Sequence, residues 1–402
     1  MSFQQGLSGL NAAAKNLDVI GNNVANSNTA GFKQAYAVFG DVFAASFGGV
    51  TNTQVGIGTQ IKGVKQEFSQ GNITVTNNPL DVAINGLGFL RMSDSGAISY
   101  TRNGGFSLDK TGFIVGAGGQ HVTGYTAVNG TIVPNVLVNL QLSAADLPPT
   151  ATTNASVGVS LTPSAQILPT ASLLITDPAT YNFSTASSAF DTLGKAHPMS
   201  FYFNKTAANT WDCSTYVDGV VANGVGPSTL TFDSAGALLT STNLAKTATP
   251  AGGAAPLSIT LNFDTMTQFA SSFGVNSLSL DGAAAGALNG YNVGADGIIM
   301  GKYTNGQTQR LGQIVLTNFT NIQGLAPAGD GMWIETADSG VPLTGIPGSA
   351  SLGALQSSAK EDSNVDLTAE LVAMITAQRV YQANAQSIKT QDQLLQTMVN
   401  LK

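Results

Sequence analysis

The chain has 402 residues, enough for two or three domains with separate hydrophobic cores. Charged residues make up only 10% of it, the net charge is −7, and Lys and Arg form no cluster, which excludes the basic surface that nucleic-acid binding requires. No apolar run approaches the roughly 18 residues of a membrane-spanning helix. Cys213 is the only cysteine, so no intrachain disulfide forms, and we predict that it is a small buried apolar residue.

The first predicted helix covers Ser2–Val24. Ser2 and Gln5 have the spacing of a capping box, in which each side chain accepts a hydrogen bond from a free backbone N–H of the other residue. Apolar residues then recur at alternating intervals of three and four, which predicts one narrow stripe along the helix, as in a coiled coil. The stripe consists of Phe3, Leu7, Leu10, Ala14, Leu17 and Val24, with Gly21 at its one gap.

The last predicted helix follows a start signal at Ser363–Asp366 and contains no Gly or Pro from Leu367 onward. Acidic residues crowd its beginning and basic residues lie later, as the helix dipole favours. Its apolar stripe has the same spacing, with Gln378 and Asp392 as polar exceptions. The stripe consists of Leu367, Leu371, Met374, Tyr381, Ala385, Ile388, Leu395 and Val399.

Two such stripes at opposite ends of the chain suggest that the helices pair with each other and with copies of themselves. The alternative is a simple two-helix clasp that closes a monomer, and periodicity alone does not separate the two. We predict a polymerisation interface on both helices, because isolated helices gain most of their stability from packing. Its residues are Phe3, Leu7, Leu10, Leu17, Ile20, Val24, Leu367, Leu371, Met374, Tyr381, Ile388, Leu395 and Val399.

The chain between the helices is predicted to be all-β, because short apolar runs with period-two alternation are separated by Asp/Asn-Gly turns. We expect an inner β-domain at 76–145 and 287–357, interrupted by an inserted outer β-domain at 146–286. Residues 26–75 and 358–362 are expected to form a connector, irregular or partly extended over 36–60 and a strand over 61–75. Residues 1–25 and 363–402 are expected to form a helical polymerisation domain. The predicted fold class is thus a multidomain protein with two nested β-domains and a coiled-coil-like pair of terminal helices.

The sequence offers little reactive chemistry. His121 and His197 are the only histidines, and neither lies at metal-ligand spacing from another His, Cys or carboxylate pair. The Asp-x-Gly loops lack the alternating carboxylates and closing Glu of a calcium loop. We therefore predict no catalytic, cofactor-binding or metal-binding residue, and a protein that is not an enzyme.

Both ends of the chain carry long motifs. They are Ser8–Ala13 (SGLNAA), Leu17–Asn26 (LDVIGNNVAN), Thr29–Lys33 (TAGFK), Ser363–Leu367 (SNVDL) and Gln378–Ala385 (QRVYQANA). The chain closely resembles the bacterial flagellar rod and hook proteins in these motifs, over residues 1 to about 125 and 287 to 402. The signature residues carried over are Asn22, Asn23, Ala25, Asn26, Thr29, Gly31, Phe32, Asn364, Asp366, Leu367, Gln378, Arg379, Tyr381 and Asn384.

Within that family, the chain most resembles the hook members, because it has the motif Gly86–Leu90 (GLGFL) and a large inserted β-domain, although the insertion at 146–286 matches only in being β-rich. The resemblance implies a structural subunit that assembles into a curved hollow tube, with the terminal helices inside and β-domains outside, acting as a flexible joint that transmits torque from rod to filament. It implies a homo-polymer, with the distal rod protein, the hook cap, the hook–filament junction protein and the flagellar type III export apparatus as partners. It also implies an extracellular location, and export without a cleaved signal peptide.

Two alternatives stay open at this point. One is a distal rod or other axial subunit of the same family. The other is a surface β-protein with adhesive or hydrolytic activity, whose terminal helices form only a clasp.

Overall fold

The computed structural model describes residues 2–42, 56–134, 136–143, 145–170, 173–224, 226–250 and 253–400. The chain divides into two compact units. The first comprises Met1–Ser143, Tyr291–Gly301 and Gln309–Lys402, and the second comprises Ala144–Gly290 and Lys302–Thr308.

The two long helices lie at opposite ends of the chain, as predicted. Helix α1 covers Ser2–Ala25 and helix α2 covers Leu367–Asn400. They pair in an antiparallel manner, because Gly6 lies beside Ile388 near one end of the pair and Asn23 contacts Glu370 near the other. Helix α2 begins at Leu367, since Asp366 Oδ1 accepts the backbone N–H groups of Thr368 (2.9 Å) and Ala369 (3.1 Å) as an N-cap.

The remaining described structure is almost entirely β. Before the insertion the strands are β1 (Ala35–Val42), β2 (Gly58–Gln66), β3 (Ile73–Val75), β4 (Val82–Asn85), β5 (Phe89–Asp94), β6 (Ala97–Thr101), β7 (Ser107–Leu108), β8 (Ile114–Val115), β9 (His121–Val128), β10 (Thr131–Ile132) and β11 (Val138–Asn139). After it they are β23 (Leu288–Val293), β24 (Ile298–Tyr303), β25 (Thr308–Ile314), β26 (Leu316–Asn318), β27 (Ala326–Gly329), β28 (Met332–Ile334), β29 (Leu343–Gly345), β30 (Ala354–Ser357) and β31 (Ala359–Glu361).

Strands from both halves of the sequence form one sheet, with the order β23-β24-β25-β9-β5-β6-β28-β27. Its core likewise draws on both halves and includes Val82, Leu90, Val122, Ile314 and Leu355. Two further strand pairs, β3 with β31 and β4 with β30, join the start of this region to its end. The β-rich body of the first unit is therefore discontinuous in sequence.

Of the two forms expected for 36–60, the described part has the extended one. Strands β1 and β2 form an antiparallel hairpin with a bulge between Val38 and Phe39, and residues 43–55 lie outside the described part. Most of β2 and all of β3 lie within 61–75, where the alternation of side chains predicted a strand.

The second unit is built from two sheets around one core. Its strands are β12 (Asn154–Leu161), β13 (Phe183–Phe190), β14 (Ala196–Ala207), β15 (Thr210–Val217), β16 (Val220–Val221), β17 (Ser228–Phe232), β18 (Leu238–Ser241), β19 (Ala245–Ala248), β20 (Leu257–Asn262), β21 (Thr267–Gln268) and β22 (Gly274–Leu280). One sheet has the order β19-β20-β12-β21, with β22 also on β12, and the other has the order β13-β14-β15-β17-β18, with β16 on β15. Val159 of the first sheet and Phe201 of the second belong to the same core, as in a β-sandwich.

Cys213 lies in that core, which confirms the prediction of a small buried residue. Burial raises the pKa of its thiol to about 12.

Candidate assembly interface of the terminal helices

The contact between α1 and α2 is made by small residues. A Cβ added to Gly6 would lie 3.0 Å from Ile388 Cγ1, and one added to Gly9 would lie 2.8 Å from Asn384 Oδ1. Ala13 and Ala377 are nearly fully buried. Glycine at positions 6 and 9 leaves room for the side chains of Ile388 and Asn384, so the helices approach closely there.

A buried polar contact fixes the end of the pair nearest the β-body. Asn23 Nδ2 donates to Glu370 Oε1 (3.1 Å) and to the carbonyl oxygen of Ala35 (2.7 Å), and Asn23 Oδ1 accepts the N–H of Ala35 (2.9 Å). Gln34 Nε2 also donates to Glu370 Oε1 (2.5 Å). Asn23 thereby joins α1, β1 and α2, which determines the register of the two helices.

Half of the predicted interface residues whose side chains are described are exposed. Phe3, Leu7, Leu367, Leu371, Tyr381 and Leu395 are exposed, with 44% exposure at both Leu7 and Leu371. Leu10, Leu17, Val24, Met374 and Ile388 are half-buried, Ile20 is buried, and the side chain of Val399 lies outside the described residues. The stripes therefore contribute to the α1–α2 pair only in part: Ile388 of the stripe packs beside Gly6, whereas the exposed members stay uncovered.

Further exposed apolar residues on α2 were missed. They are Val372, Ile375, Val380, Leu394 and Met398, the last at 64% exposure. The signal in the sequence was the presence of adjacent apolar residues, as at Leu371-Val372 and Leu394-Leu395, which widens the apolar surface beyond a single stripe. These residues and the exposed part of the predicted stripe, which on α2 lie on more than one side of the helix, are together called here the outer apolar face of the helix pair.

A buried ion cluster joins the helix-proximal loop to the β-body. Glu361 Oε1 lies 2.6 Å from Lys33 Nζ, Glu361 Oε2 lies 3.2 Å from Arg102 Nη1, and all three side chains are almost inaccessible. Gly71 N–H donates to Glu361 Oε1 (2.9 Å), and Lys33 Nζ donates to the carbonyl oxygen of Ser69 (2.7 Å).

Burial disfavours charge on both cations of this cluster. It lowers the pKa of Lys33, although the hydrogen bond and attraction of Glu361 oppose the effect, and it lowers the pKa of Arg102 in the same way. One carboxylate thus stabilises two buried cations. Sequence reasoning missed this cluster because its members are far apart in the chain.

Several signature residues have structural roles. Gly31 has φ 71°, and a Cβ there would lie 2.5 Å from the backbone nitrogen of Asn103, so the loop passes close to the β-body only with glycine. Asn364 Oδ1 accepts the N–H of Gln34 (2.7 Å), and its Nδ2 donates to the carbonyl oxygen of Glu67 (2.8 Å). Thr29 Oγ1 donates to Asn26 Oδ1 (3.2 Å) in the turn after α1.

Some of the other signature residues make hydrogen bonds or helix contacts, and the rest are exposed. Asn23, Asp366 and Asn384 belong to the helix contacts and cap described above. Phe32 N–H donates to the carbonyl oxygen of Thr29 (3.2 Å), and Asn26 Nδ2 donates to that of Asn22 (3.0 Å). Ala25, Gln378 and Arg379 are exposed.

Metal-ligand clusters and membrane-spanning helices are absent from the described part of the chain. In the described part of the chain, no group of three or more His, Cys, Asp and Glu side chains could hold a metal ion. Neither terminal helix, over its described residues, has the length and apolarity to span a membrane.

Four family models match successive parts of the chain. They are "Flagella basal body rod protein" at residues 3–33, "Flagellar hook protein FlgE/F/G D1 domain" at 83–159, "Flagellar basal body protein FlaE D2 domain" at 122–283 and "Flagellar basal body rod FlgEFG protein C-terminal" at 356–401. The flagellar hook protein FlgE of Escherichia coli (strain K12) is 43% identical over 415 residues, with all of both chains covered. This chain belongs to the flagellar hook protein family.

Other members of this family are also similar over the whole chain. The flagellar hook protein FlgE of Salmonella typhimurium is 41% identical over 412 residues, covering 100% of both chains, and that of Rhizobium meliloti is 34% identical, covering 100% of this chain and 98% of its own. The crystal structure of Helicobacter pylori flagellar hook protein FlgE2 has a TM-score of 0.52 at 14% identity and covers 72% of this chain and 99% of its own. That likeness shows a shared fold. The resemblance found in the terminal motifs is thus confirmed.

Proposed function

We propose that this chain is the structural subunit of a flagellar hook and that copies assemble through the outer apolar face of the helix pair. The observation that carries the proposal is the exposure of this face. Large apolar side chains repeat along both helices, yet the closest approach of α1 to α2 is made by its small residues, and many of the large side chains stay uncovered. Large exposed apolar side chains in such number mark a protein–protein interface, and narrow stripes at heptad spacing are the pattern of helices that pack on further helices.

The assembly we propose is a curved hollow tube. Residues 1–25 and 363–402 form its inner helical layer, and the β-domains at 76–145, 146–286 and 287–357 form the outer layers. Apolar contacts between helices hold the inner layer, whereas β-surfaces with few charges make small, hydrated contacts that shift at low cost. This combination supports a joint that bends while transmitting torque from rod to filament.

Partners and location follow from the same role. The proposed neighbours are the distal rod protein, the hook cap and the hook–filament junction protein, and the proposed route is the flagellar type III export apparatus. In this route the N-terminal helix stays in the mature subunit, because Phe3 and Leu7 belong to the interface. A mass spectrum of the sheared extracellular hook that lacks the peptide with these residues would contradict the proposal.

The interface is tested with Leu371→Asp. We expect this variant to form no tubes, because a carboxylate would have to be buried in an apolar contact between subunits. The measurement is negative-stain electron microscopy of purified subunits under polymerising conditions. The matched control is Leu239→Asp, which places the same charge on an exposed leucine of β18 in the second unit.

Folding of the variant is checked separately. Trp211 and Trp333 are buried, one in each unit, so their fluorescence in Leu371→Asp should equal that of the original chain. Normal tubes from Leu371→Asp, or equal loss of tubes in Leu239→Asp, would remove the support for a helix-based interface.

A further inference from the structure

His197 of the second unit lies between two carboxylates. It belongs to β14 and is fully buried. Its Nδ1 lies 2.6 Å from Asp218 Oδ2, and its Nε2 lies 3.1 Å from Asp191 Oδ2. A neutral imidazole carries one N–H and can donate to only one of these oxygens, whereas the imidazolium donates to both. The geometry therefore fits a protonated ring.

The two carboxylates belong to two different turns. Asp191 is held in the β13–β14 turn, where its Oδ1 accepts the N–H groups of Leu193 (2.9 Å) and Lys195 (2.9 Å). Asp218 and Gly219 form the two-residue turn between β15 and β16, with φ 54° and 75° as in a type I′ hairpin turn. His197 connects these turns through its side chain.

Loss of the ring proton affects the two contacts unequally. Asp191 is almost fully buried and has its backbone partners, so a neutral ring that donates from Nε2 preserves this contact. The unprotonated Nδ1 then faces the negative oxygen of Asp218, and this pairing is repulsive. The side chain of Asp218 is 34% exposed, so it can turn into water.

We propose that His197, Asp191 and Asp218 form a pH-operated clamp, which holds the β15–β16 turn against the β13–β14 turn while the ring is protonated and releases the β15–β16 turn when the ring is neutral. Strand β16 carries the exposed residues Val220 and Val221, so release changes the presentation of an apolar surface of the second unit. The charged groups that face the ring are these two aspartates.

The electrostatics place the transition above the ordinary pKa of histidine. Burial works against the charged ring, but the hydrogen bonds and attraction of Asp191 and Asp218 outweigh it and raise the pKa of His197 above 6.5. The hydrogen bond from His197 correspondingly lowers the pKa of Asp191.

The test uses the full chain in dilute solution. The ring of His197 is titrated by NMR with carbon-labelled histidine, and a His121→Gln variant assigns the two signals. Amide exchange of Val220, Val221 and Ala222 is measured at about pH 6 and about pH 9 and corrected for the intrinsic pH dependence of exchange. We expect a ring pKa above 6.5 and protection that falls about tenfold across its titration.

Variants separate the clamp from general effects of pH. Asp218→Asn should lower the ring pKa and remove the pH-dependent step in protection, and His197→Gln should remove the step. The matched control is Asp233→Asn, since Asp233 Oδ1 accepts two turn N–H groups (2.9 and 2.8 Å) in the same way as Asp191 but faces no histidine, and it should leave the step unchanged.

Two results would overturn the clamp. One is a ring of His197 that loses its proton below pH 6.5 in the unaltered chain, which needs no variant to fold. The other is a pH-dependent loss of protection that persists in His197→Gln.

Discussion

Glu361 is a buried carboxylate that balances two buried cations of the first unit. Its carboxylate is inaccessible and balances Lys33 and Arg102 at the point where the chain returns from the β-body to α2. Removing one partner from a buried ion cluster leaves the others without compensation, and this costs more than the whole cluster contributes.

We expect Glu361→Gln to destabilise the first unit by about 3–5 kcal/mol, because two cations then stay buried without an anion. Urea unfolding followed by Trp333 fluorescence, in a Trp211→Phe background, measures the loss. The comparison is Asp18→Asn, which breaks the exposed pair with Lys15 (3.1 Å) and should have no measurable effect. Equal midpoints for Glu361→Gln and its parent would show that the cluster does not hold the unit together.

At the scale of elements, the contact between α1 and α2 buries mainly small residues, whereas the two helices leave many large apolar side chains exposed. Gly6, Gly9, Ala13 and Ala377 bury little apolar area, Ile388 packs beside Gly6, and Asn23 with Glu370 adds a polar contact. Such a contact fixes register more than it adds stability. The helices therefore depend on what covers their outer apolar face.

We expect both helices to show low amide protection in dilute monomer. Protection should be highest beside the Asn23–Glu370 contact and lowest from Leu394 to Met398, where the apolar side chains are uncovered. Hydrogen exchange with mass spectrometry on monomer and on assembled tubes measures this. Protection along α2 that is strong and uniform in monomer, and unchanged on assembly, would argue for the clasp that closes a monomer.

On the scale of the whole molecule, the two units have separate cores. The core around Val159 and Phe201 belongs to the second unit, and the core around Val82, Leu90 and Ile314 belongs to the first. Units with their own cores unfold as separate cooperative steps when few contacts couple them.

We expect two calorimetric transitions in the full chain, one reported by Trp211 and one by Trp333. The transition of the second unit should fall in temperature between about pH 6 and about pH 9, because the raised pKa of His197 stabilises the folded state below 6.5 and this contribution is lost as pH rises through the folded value.

The second unit should also lose stability in acid, because of Asp281. Partial burial opposes its charge, but four hydrogen bonds from Asn154 and Thr153 lower its pKa to about 2. Its contribution is present above the ordinary pKa of 3.8 and is lost as pH falls towards about 2. A single calorimetric transition would contradict the separate unfolding of the two units. A second-unit transition whose temperature is the same at all these pH values would contradict the contributions of His197 and Asp281.

The sequence by itself determined the elements that depend on local pattern. Periodicity predicted the two terminal helices to within a few residues, and Asp/Asn-Gly turns between alternating runs predicted that the chain between them is β. The terminal motifs identified the family. Each of these signals is contained in a short stretch of chain, since helix and strand periods are properties of neighbouring residues.

Only the tertiary structure decided which surfaces meet. Spacing identified the apolar residues of α1 and α2 but not their neighbours, so the choice of the Gly6–Gly9 face for the pair became visible only when the helices were placed together. The Lys33–Glu361 pair joins residues 328 positions apart, and His197 meets Asp218 from the turn between two other strands. The physical reason is that burial and electrostatic pairing depend on long-range contacts, which no local pattern in a single sequence records.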